Sequence, residues 1–176
     1  MKTRGFTLIE VMISMAVVLI LAAAITRVLL VGNSSWHIGD AEVQVNQEAR
    51  RGMSNMVREL RNTRPLSTII NVPADGAYYS TITFKIPSDS DGDGDVIDAS
   101  GNVEWSDAIT YSVANNQLWR NTTNSATVLA NNVNSLSFRR QPTSSDIIEI
   151  ALQTRKTTVE QRVISATLNC SVKLRN

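Results

Sequence analysis

The chain has 176 residues and a formal net charge of +1, with 19% charged and 5% aromatic residues. A hydrophobic content of 43% separates it from disordered chains and from membrane proteins with many spans. The near-neutral charge excludes a strong general attraction to nucleic acid or to acidic surfaces. Cys170 is the single cysteine, so an internal disulfide framework is excluded as well.

The amino terminus places a short basic segment before a long apolar run. Lys2 and Arg4 precede a stretch of Ile, Val, Met, Leu and Ala that reaches the roughly 20 residues needed to cross a membrane. The positive-inside rule puts the basic segment in the cytoplasm and the chain after residue 32 outside it. Glu10 interrupts the run, and a carboxylate there costs about 2.5–3.5 kcal/mol on insertion. This cost indicates that Glu10 has a use.

The apolar run fits three interpretations. A secretory signal peptide would be cleaved after the small residues 22–24. A plain signal anchor would stay in the membrane, and both of these leave Glu10 without a role. In the third interpretation the run is kept for a purpose that needs the carboxylate.

Residues 5–10, GFTLIE, resemble the cleavage motif of type IV prepilins. The resemblance implies that a prepilin peptidase cuts after Gly5 and N-methylates the new amino terminus, Phe6. It also implies that the apolar run first anchors the chain in inner-membrane lipid and later forms the core of a fibre. Glu10 would then pair with the amino terminus of a neighbouring subunit, and a buried pair of this kind can fix register.

Apolar residues continue at helical spacing beyond the membrane run, which predicts an amphipathic helix over residues 33–64. The stripe consists of Val45, Ala49, Met53, Met56 and Leu60. Pro65 ends the pattern, because the residue before a proline avoids helical geometry. Joined to the transmembrane part, this predicts one helix from Phe6 to Thr63.

Four arginines lie in the amphipathic part of this helix. They are Arg50, Arg51, Arg58 and Arg61. Glu48 and Glu59 are interleaved with them, and no aromatic residues for base stacking lie among them. This pattern favours a solvated helix face, so we expect no nucleic-acid partner.

From residue 66 onward the hydrophobic period changes from about 3.6 to 2, which predicts an antiparallel sheet of about five to seven strands in a domain at 65–176. The predicted strands are residues 67–72, 81–86, 108–113, 117–121, 133–140, 146–154 and 162–175. Ala114, Asn115 and Asn116 predict a hairpin turn, because asparagine tolerates positive φ. The fold class is therefore α+β and type IV pilin-like, with a long amino-terminal helix packed on an antiparallel sheet.

The runs at 108–121, 126–138 and 167–176 resemble minor pilins of the PilW type and the J-type minor pseudopilins of type II secretion. This resemblance implies a position at or near the tip of a fibre and a role in starting assembly. Major pilins usually carry a helix-loosening proline within the apolar run, where this chain has Arg27. That difference favours a minor subunit over the bulk subunit.

An acidic loop over residues 88–98 is the candidate metal site. Its candidate ligands are Asp89, Asp91, Asp93, Asp95 and Asp98. The alternating carboxylates, with Gly94 in the sixth position, follow the start of an EF-hand calcium loop. Ser100 replaces the glutamate of position 12, and Asp98 or Glu104 would have to fold back to supply the missing oxygens. The alternative is a solvated turn, because Asp and Gly are common turn residues.

The sequence predicts a structural protein. It contains no nucleophile elbow, zinc-protease helix, phosphate-binding glycine loop or Cys-x-x-Cys pair. Its predicted organisation is a leader at 1–5, a transmembrane and assembly helix at 6–32, an amphipathic helix at 33–64 and a β domain at 65–176. The predicted function is a minor pilin or pseudopilin that joins other pilins in a fibre. The alternative is a membrane-anchored, calcium-binding adhesin or recognition domain that does not polymerise.

Overall fold

The computed structural model describes residues 7–63 and 68–174. It contains one long helix and eight strands. They are α1 (Leu8–Leu60), β1 (Tyr78–Tyr79), β2 (Ile82–Phe84), β3 (Ile109–Ala114), β4 (Gln117–Asn121), β5 (Ala126–Asn131), β6 (Val133–Gln141), β7 (Ser144–Thr157) and β8 (Val163–Lys173). The chain divides into two compact units, residues 1–40 and 41–176.

The first unit is the amino-terminal part of α1, and its side chains are exposed throughout residues 7–33. This part is long and apolar enough to cross a membrane. Its polar Ser14 and Thr26 hydroxyls donate to the carbonyl oxygens of Glu10 and Ala22, at 2.8 and 2.9 Å. Because these hydroxyls are satisfied by the helix itself, they do not oppose burial in an apolar environment.

The second unit buries the carboxyl-terminal part of α1, as the apolar spacing predicts. All five residues of the predicted stripe are buried, and Ala41 and Gly52 join them. The helix ends at Leu60, and Arg61–Thr63 form a turn rather than the last helical residues of the prediction. Phe6 and Pro65, the predicted start and the proline that was expected to end the helix, lie outside the described residues.

The α+β fold class is confirmed, but the eight described strands form two antiparallel four-stranded sheets, where the sequence predicted one sheet of five to seven strands. One sheet has the order β1-β6-β7-β8 and the other β2-β3-β4-β5. The chain passes from one sheet to the other at Asn132, the single residue between β5 and β6, whose φ is 58°. The buried residues on either side, Ala130 and Val133, are three positions apart, so the period of 2 is interrupted at Asn132. Such an interruption predicts a turn, but it does not reveal that the next strand joins a different sheet.

The structure also corrects the first predicted strand, residues 67–72, of which Ser67 lies outside the described residues. Ile69 forms only an isolated bridge with Phe84. The side chain of Asn71 accepts the amide hydrogen of Thr83 at 2.6 Å and donates to the Thr81 hydroxyl at 3.2 Å. A side chain thus takes the place of a backbone ladder. The hairpin predicted between β3 and β4 is confirmed, with φ values of 53° at Asn115 and 58° at Asn116.

At Gly52, α1 lies close to both sheets. A Cβ atom there would lie 3.0 Å from Leu118 and 3.2 Å from both Ala130 and Leu152. Leu118 and Ala130 belong to one sheet and Leu152 to the other. The missing side chain therefore lets one helix cover two sheets at once.

A polar contact fixes the end of the same helix. Glu59 accepts hydrogen bonds from Nε of Arg120 at 3.0 Å and from the Tyr111 hydroxyl at 2.7 Å. Burial, and then the neighbouring Glu59 carboxylate, raises the pKa of Tyr111 well above its usual value. The neutral phenol is thus the form that the fold requires.

We predict that Gly52→Leu destabilises the second unit. Although leucine favours a helix more than glycine does, the new side chain meets three neighbours in a filled space, and overpacking costs about 1–3 kcal/mol. Urea unfolding of the full chain in detergent measures the change. Ser54→Leu, on the exposed face of the same helix, should leave the midpoint nearly unchanged. Equal midpoints for the two variants would contradict the tight contact.

We also predict that stability falls as the pH rises above about 10, the unperturbed tyrosine value. Because the folded-state pKa of Tyr111 is raised, the neutral side chain contributes fully to the free energy of unfolding below that pH. Above that pH the contribution is lost, by up to about 1.4 kcal/mol per pH unit. Tyr111→Phe should be less stable at neutral pH by about 1 kcal/mol, with a shallower decline above pH 10. If the free energy of unfolding falls equally steeply with pH in the two proteins, Tyr111 is not the cause of the decline.

Candidate functional site

Glu10 lies in the first turn of α1 and has a local partner that sequence analysis missed. Thr7 precedes the helix, and its backbone N–H and hydroxyl both lie 3.4 Å from Oε2 of Glu10. A threonine before a helix with a glutamate three residues later is a capping box, here a loose one. The spacing was readable in the sequence. A negative charge in the first turn also interacts favourably with the helix dipole.

The surroundings of Glu10 are an exposed apolar surface. Leu8, Ile9, Val11 and Met12 are all exposed, and the same holds along the helix to Val31. The helix therefore presents one carboxylate beside a continuous apolar surface to whatever packs against it. The predicted cleavage and methylation positions, Gly5 and Phe6, lie outside the described residues.

The acidic loop folds around Asp89. Its Oδ1 accepts the amide hydrogen of Gly92 at 2.6 Å, and its Oδ2 accepts that of Gly94 at 2.9 Å. Both glycines have positive φ, 83° and 92°, which permits the tight turns between the aspartates. Gly94 thus has the backbone role that an EF-hand-like start of the loop requires.

Glu104 reaches the start of this loop from the far end of the segment. Isolated bridges between Pro87 and Trp105 and between Ile97 and Val103 close the segment on itself. The Glu104 carboxylate then accepts hydrogen bonds from the backbone and the hydroxyl of Ser90, at 2.6 and 2.9 Å. As a result, carboxylate oxygens of Asp89, Asp91 and Glu104 lie within 4.8 Å of one another.

The other three candidate ligands do not join this group. Asp93 and Asp95 accept the amide hydrogens of the residues that follow them, Asp95 and Val96 respectively. Asp98 accepts from the amides of Ser100 and Asn102, both at 2.8 Å. The bonds from Asn102 hold the pKa of Asp98 below its usual value. Glu104, rather than Asp98, is therefore the residue that folds back.

The three grouped carboxylates fit a hard cation in part. Calcium takes 6–8 oxygen ligands, preferably carboxylates, carbonyls and water. Asp89, Asp91 and Glu104 offer a cluster of negative oxygens in an exposed or half-exposed position. Backbone carbonyls or water would have to complete the shell. Calcium binding by this loop stays a prediction at this point.

The four arginines are exposed to solvent, as the sequence predicted, and Arg61 lies just beyond the end of α1. Arg50, Arg51, Arg58 and Arg61 are all exposed, and none forms an ion pair with a described residue. Glu48 and Glu59 do not neutralise them. Glu48 accepts the amide hydrogen of Asn131 at 2.7 Å, and Glu59 is held by Arg120. The expectation of no nucleic-acid partner now depends on the near-neutral net charge and on the lack of interleaved aromatic residues.

In the comparisons with known proteins, a family model matches the amino-terminal residues of the chain. Residues 1–26 match the family model of the prokaryotic N-terminal methylation motif. No curated protein and no solved structure shows a significant match to this chain. The motif supports a type IV prepilin-like protein, a structural pilin or pseudopilin rather than an enzyme. It implies processing by prepilin peptidase and assembly with other pilins, and together with the exposed apolar helix it fits an inner-membrane anchor.

Proposed function

We propose that this chain is a minor pilin or pseudopilin. It is cleaved between Gly5 and Phe6 and is held in the inner membrane with residues 41–176 outside the cytoplasm. It then enters a type IV pilus or a type II secretion pseudopilus at or near the tip, where it starts or supports assembly. The resemblance of its β strands to minor subunits and the presence of Arg27 in the apolar run support the minor role.

The observation that carries this proposal is the apolar helix with a carboxylate in its first turn, placed directly after a methylation motif. A continuous apolar helix surface must be covered by lipid or by other helices. Glu10 is costly in lipid but useful between helices, where the positive amino terminus of another subunit can pair with it. A fibre subunit uses both environments in turn.

The capping box gives Glu10 a second possible role, and two substitutions separate the roles. Glutamine also fills the capping position, so Glu10→Gln keeps the helix start but removes the charge. Breaking a buried ion pair costs about 3–5 kcal/mol, so both Glu10→Gln and Glu10→Ala should lower incorporation by about 100-fold or more. The measurement is the amount of chain in fibres relative to membranes, taken from the protein's own host.

Ser14→Ala is the matched control, because it removes the other nearby polar side chain and leaves the charge. It should assemble normally. Intact-mass analysis of each variant checks for a chain that begins at Phe6 and carries one additional methyl group. If Glu10→Gln assembles like the unchanged chain while Glu10→Ala does not, Glu10 serves only as a cap and the charge-pairing mechanism is wrong. Normal assembly of both Glu10 variants would show that Glu10 has no role in assembly.

We also propose that the acidic loop binds calcium through Asp89, Asp91 and Glu104. The supporting observation is the approach of the three carboxylates to within 4.8 Å. A calcium-binding surface is compatible with the fibre subunit. It is also the basis of the second candidate function, an anchored recognition domain that never polymerises, for which changes at Glu10 would have no effect on localisation.

For calcium, we predict that Glu104→Gln weakens binding by about tenfold or more, because loss of one charged ligand lowers affinity steeply. Calorimetric titration of the full chain in detergent measures the dissociation constant. Asp107→Asn removes an exposed carboxylate that lies outside the group and should bind like the unchanged chain. If the unchanged chain does not bind at millimolar calcium, or if the two variants behave alike, this ligand set is wrong.

A further inference from the structure

Four exposed arginines lie on one side of α1 and of the turn that follows it. This arginine stripe consists of Arg50, Arg51, Arg58 and Arg61. The Arg61 amide donates to the Val57 carbonyl at 3.1 Å, so the helical hydrogen-bond pattern continues to that residue. At 3.6 residues per turn, the four arginines fall within an arc of about 100° and extend over about 17 Å. The exposed, uncharged residues Gln47 and Ser54 lie in the same arc.

The arginine stripe has no ion-pair partner among the described residues of its own chain. Glu48 and Glu59 lie outside the arc by the same helical geometry. Their carboxylates are also engaged elsewhere, by the Asn131 amide and by Arg120 respectively. Because like charges at short range repel one another, four guanidinium groups on one side of a helix favour an anionic partner.

The opposite charge is concentrated in the acidic loop and in Glu104, which folds back onto it. Six of the 16 acidic residues lie between positions 89 and 104, where the sequence has no basic residue. They are Asp89, Asp91, Asp93, Asp95, Asp98 and Glu104. None of them forms an ion pair with a described residue. The formal net charge of +1 therefore conceals two separate surfaces of opposite charge.

We propose that the arginine stripe of one copy of this chain binds the acidic loop of a second copy. A different anionic partner would neutralise the stripe and leave the loop without a counter-charge, whereas a second copy supplies both charged surfaces. Guanidinium and carboxylate groups form short, charge-assisted hydrogen bonds that are often bidentate. Calcium held by Asp89, Asp91 and Glu104 would still leave the exposed carboxylates of Asp93 and Asp95 for the arginines.

This contact joins two different surfaces. It therefore leaves one stripe and one loop available on a pair of copies, and heterologous contacts of this kind build rings or helical filaments. The inference goes beyond the proposed function and does not depend on it, because both surfaces lie within residues 41–176. It adds a second copy of the chain to the partners of a fibre subunit.

Nucleic acid is the other polyanion that an arginine stripe could bind. Its phosphates would neutralise the arginines, but they would leave the acidic loop without a counter-charge. The near-neutral chain gives a duplex no strong general attraction, and no aromatic side chain for base stacking lies in the stripe. The charges of this chain therefore favour a second copy over nucleic acid.

The test reverses charges on each surface separately. A stripe variant carries Arg51→Glu and Arg58→Glu. A loop variant carries Asp93→Lys and Asp95→Lys, which leaves the three grouped carboxylates unchanged. Sedimentation of each full chain in detergent, at low and at high salt, measures the dissociation constant between copies. Because the apolar helix is the same in every variant, differences between variants report the charged surfaces.

We expect high salt to weaken association of the unchanged chain by about tenfold or more, since salt screens exposed charges. At low salt, the stripe variant and the loop variant should each associate about tenfold or more weakly than the unchanged chain. An equal mixture of the two should regain association, because the unchanged loop of the first meets the unchanged stripe of the second. Recovery in the mixture also shows that both variants are folded.

The matched control carries Arg155→Glu and Arg162→Glu. These are two exposed arginines outside the stripe, and their reversal changes the net charge by the same amount. The control should associate like the unchanged chain. If it is weakened as much as the stripe variant, the effect is one of net charge and the proposed contact is wrong.

Three further results would overturn the inference. The first is an unchanged chain without salt-dependent association, and the second is a mixture that associates no better than either variant alone. The third is a short DNA duplex that binds the unchanged chain but not the stripe variant, while copies of the chain do not associate. The Glu10 variants keep both charged surfaces, so they test the fibre function separately from this contact.

Discussion

The close approach of α1 to both sheets at Gly52 is the contact on which the globular unit depends. Leu118, Ala130 and Leu152 all lie within 3.2 Å of the place where a Cβ atom would stand. Met53, Met56 and Leu60 of the helix belong to the same buried cluster as residues of both sheets. The absence of one side chain thus joins three elements into a single core.

The same helix meets two different requirements along its length. From Ala41 onward its apolar stripe is covered by the chain's own sheets, and Glu48 and Glu59 are bonded by the domain. Over residues 7–33 its surface is exposed. Hydrophobic covering of that surface must come from outside the chain, and it is not directional. Under the proposed function, lipid supplies it first and neighbouring helices supply it later, and Glu10 favours the second environment.

Local chemistry was predictable from the sequence, whereas long-range pairing was not. The buried stripe from Val45 to Leu60 follows from helical spacing, and the Asn115–Asn116 turn follows from the tolerance of asparagine for positive φ. Asn132 interrupts the hydrophobic period, but the interruption does not tell which sheet the next strand joins. In the acidic loop, the spacing of Asp89 and Asp91 is local, but the return of Glu104 depends on isolated bridges between distant residues. The choice between Glu104 and Asp98 therefore required the structure.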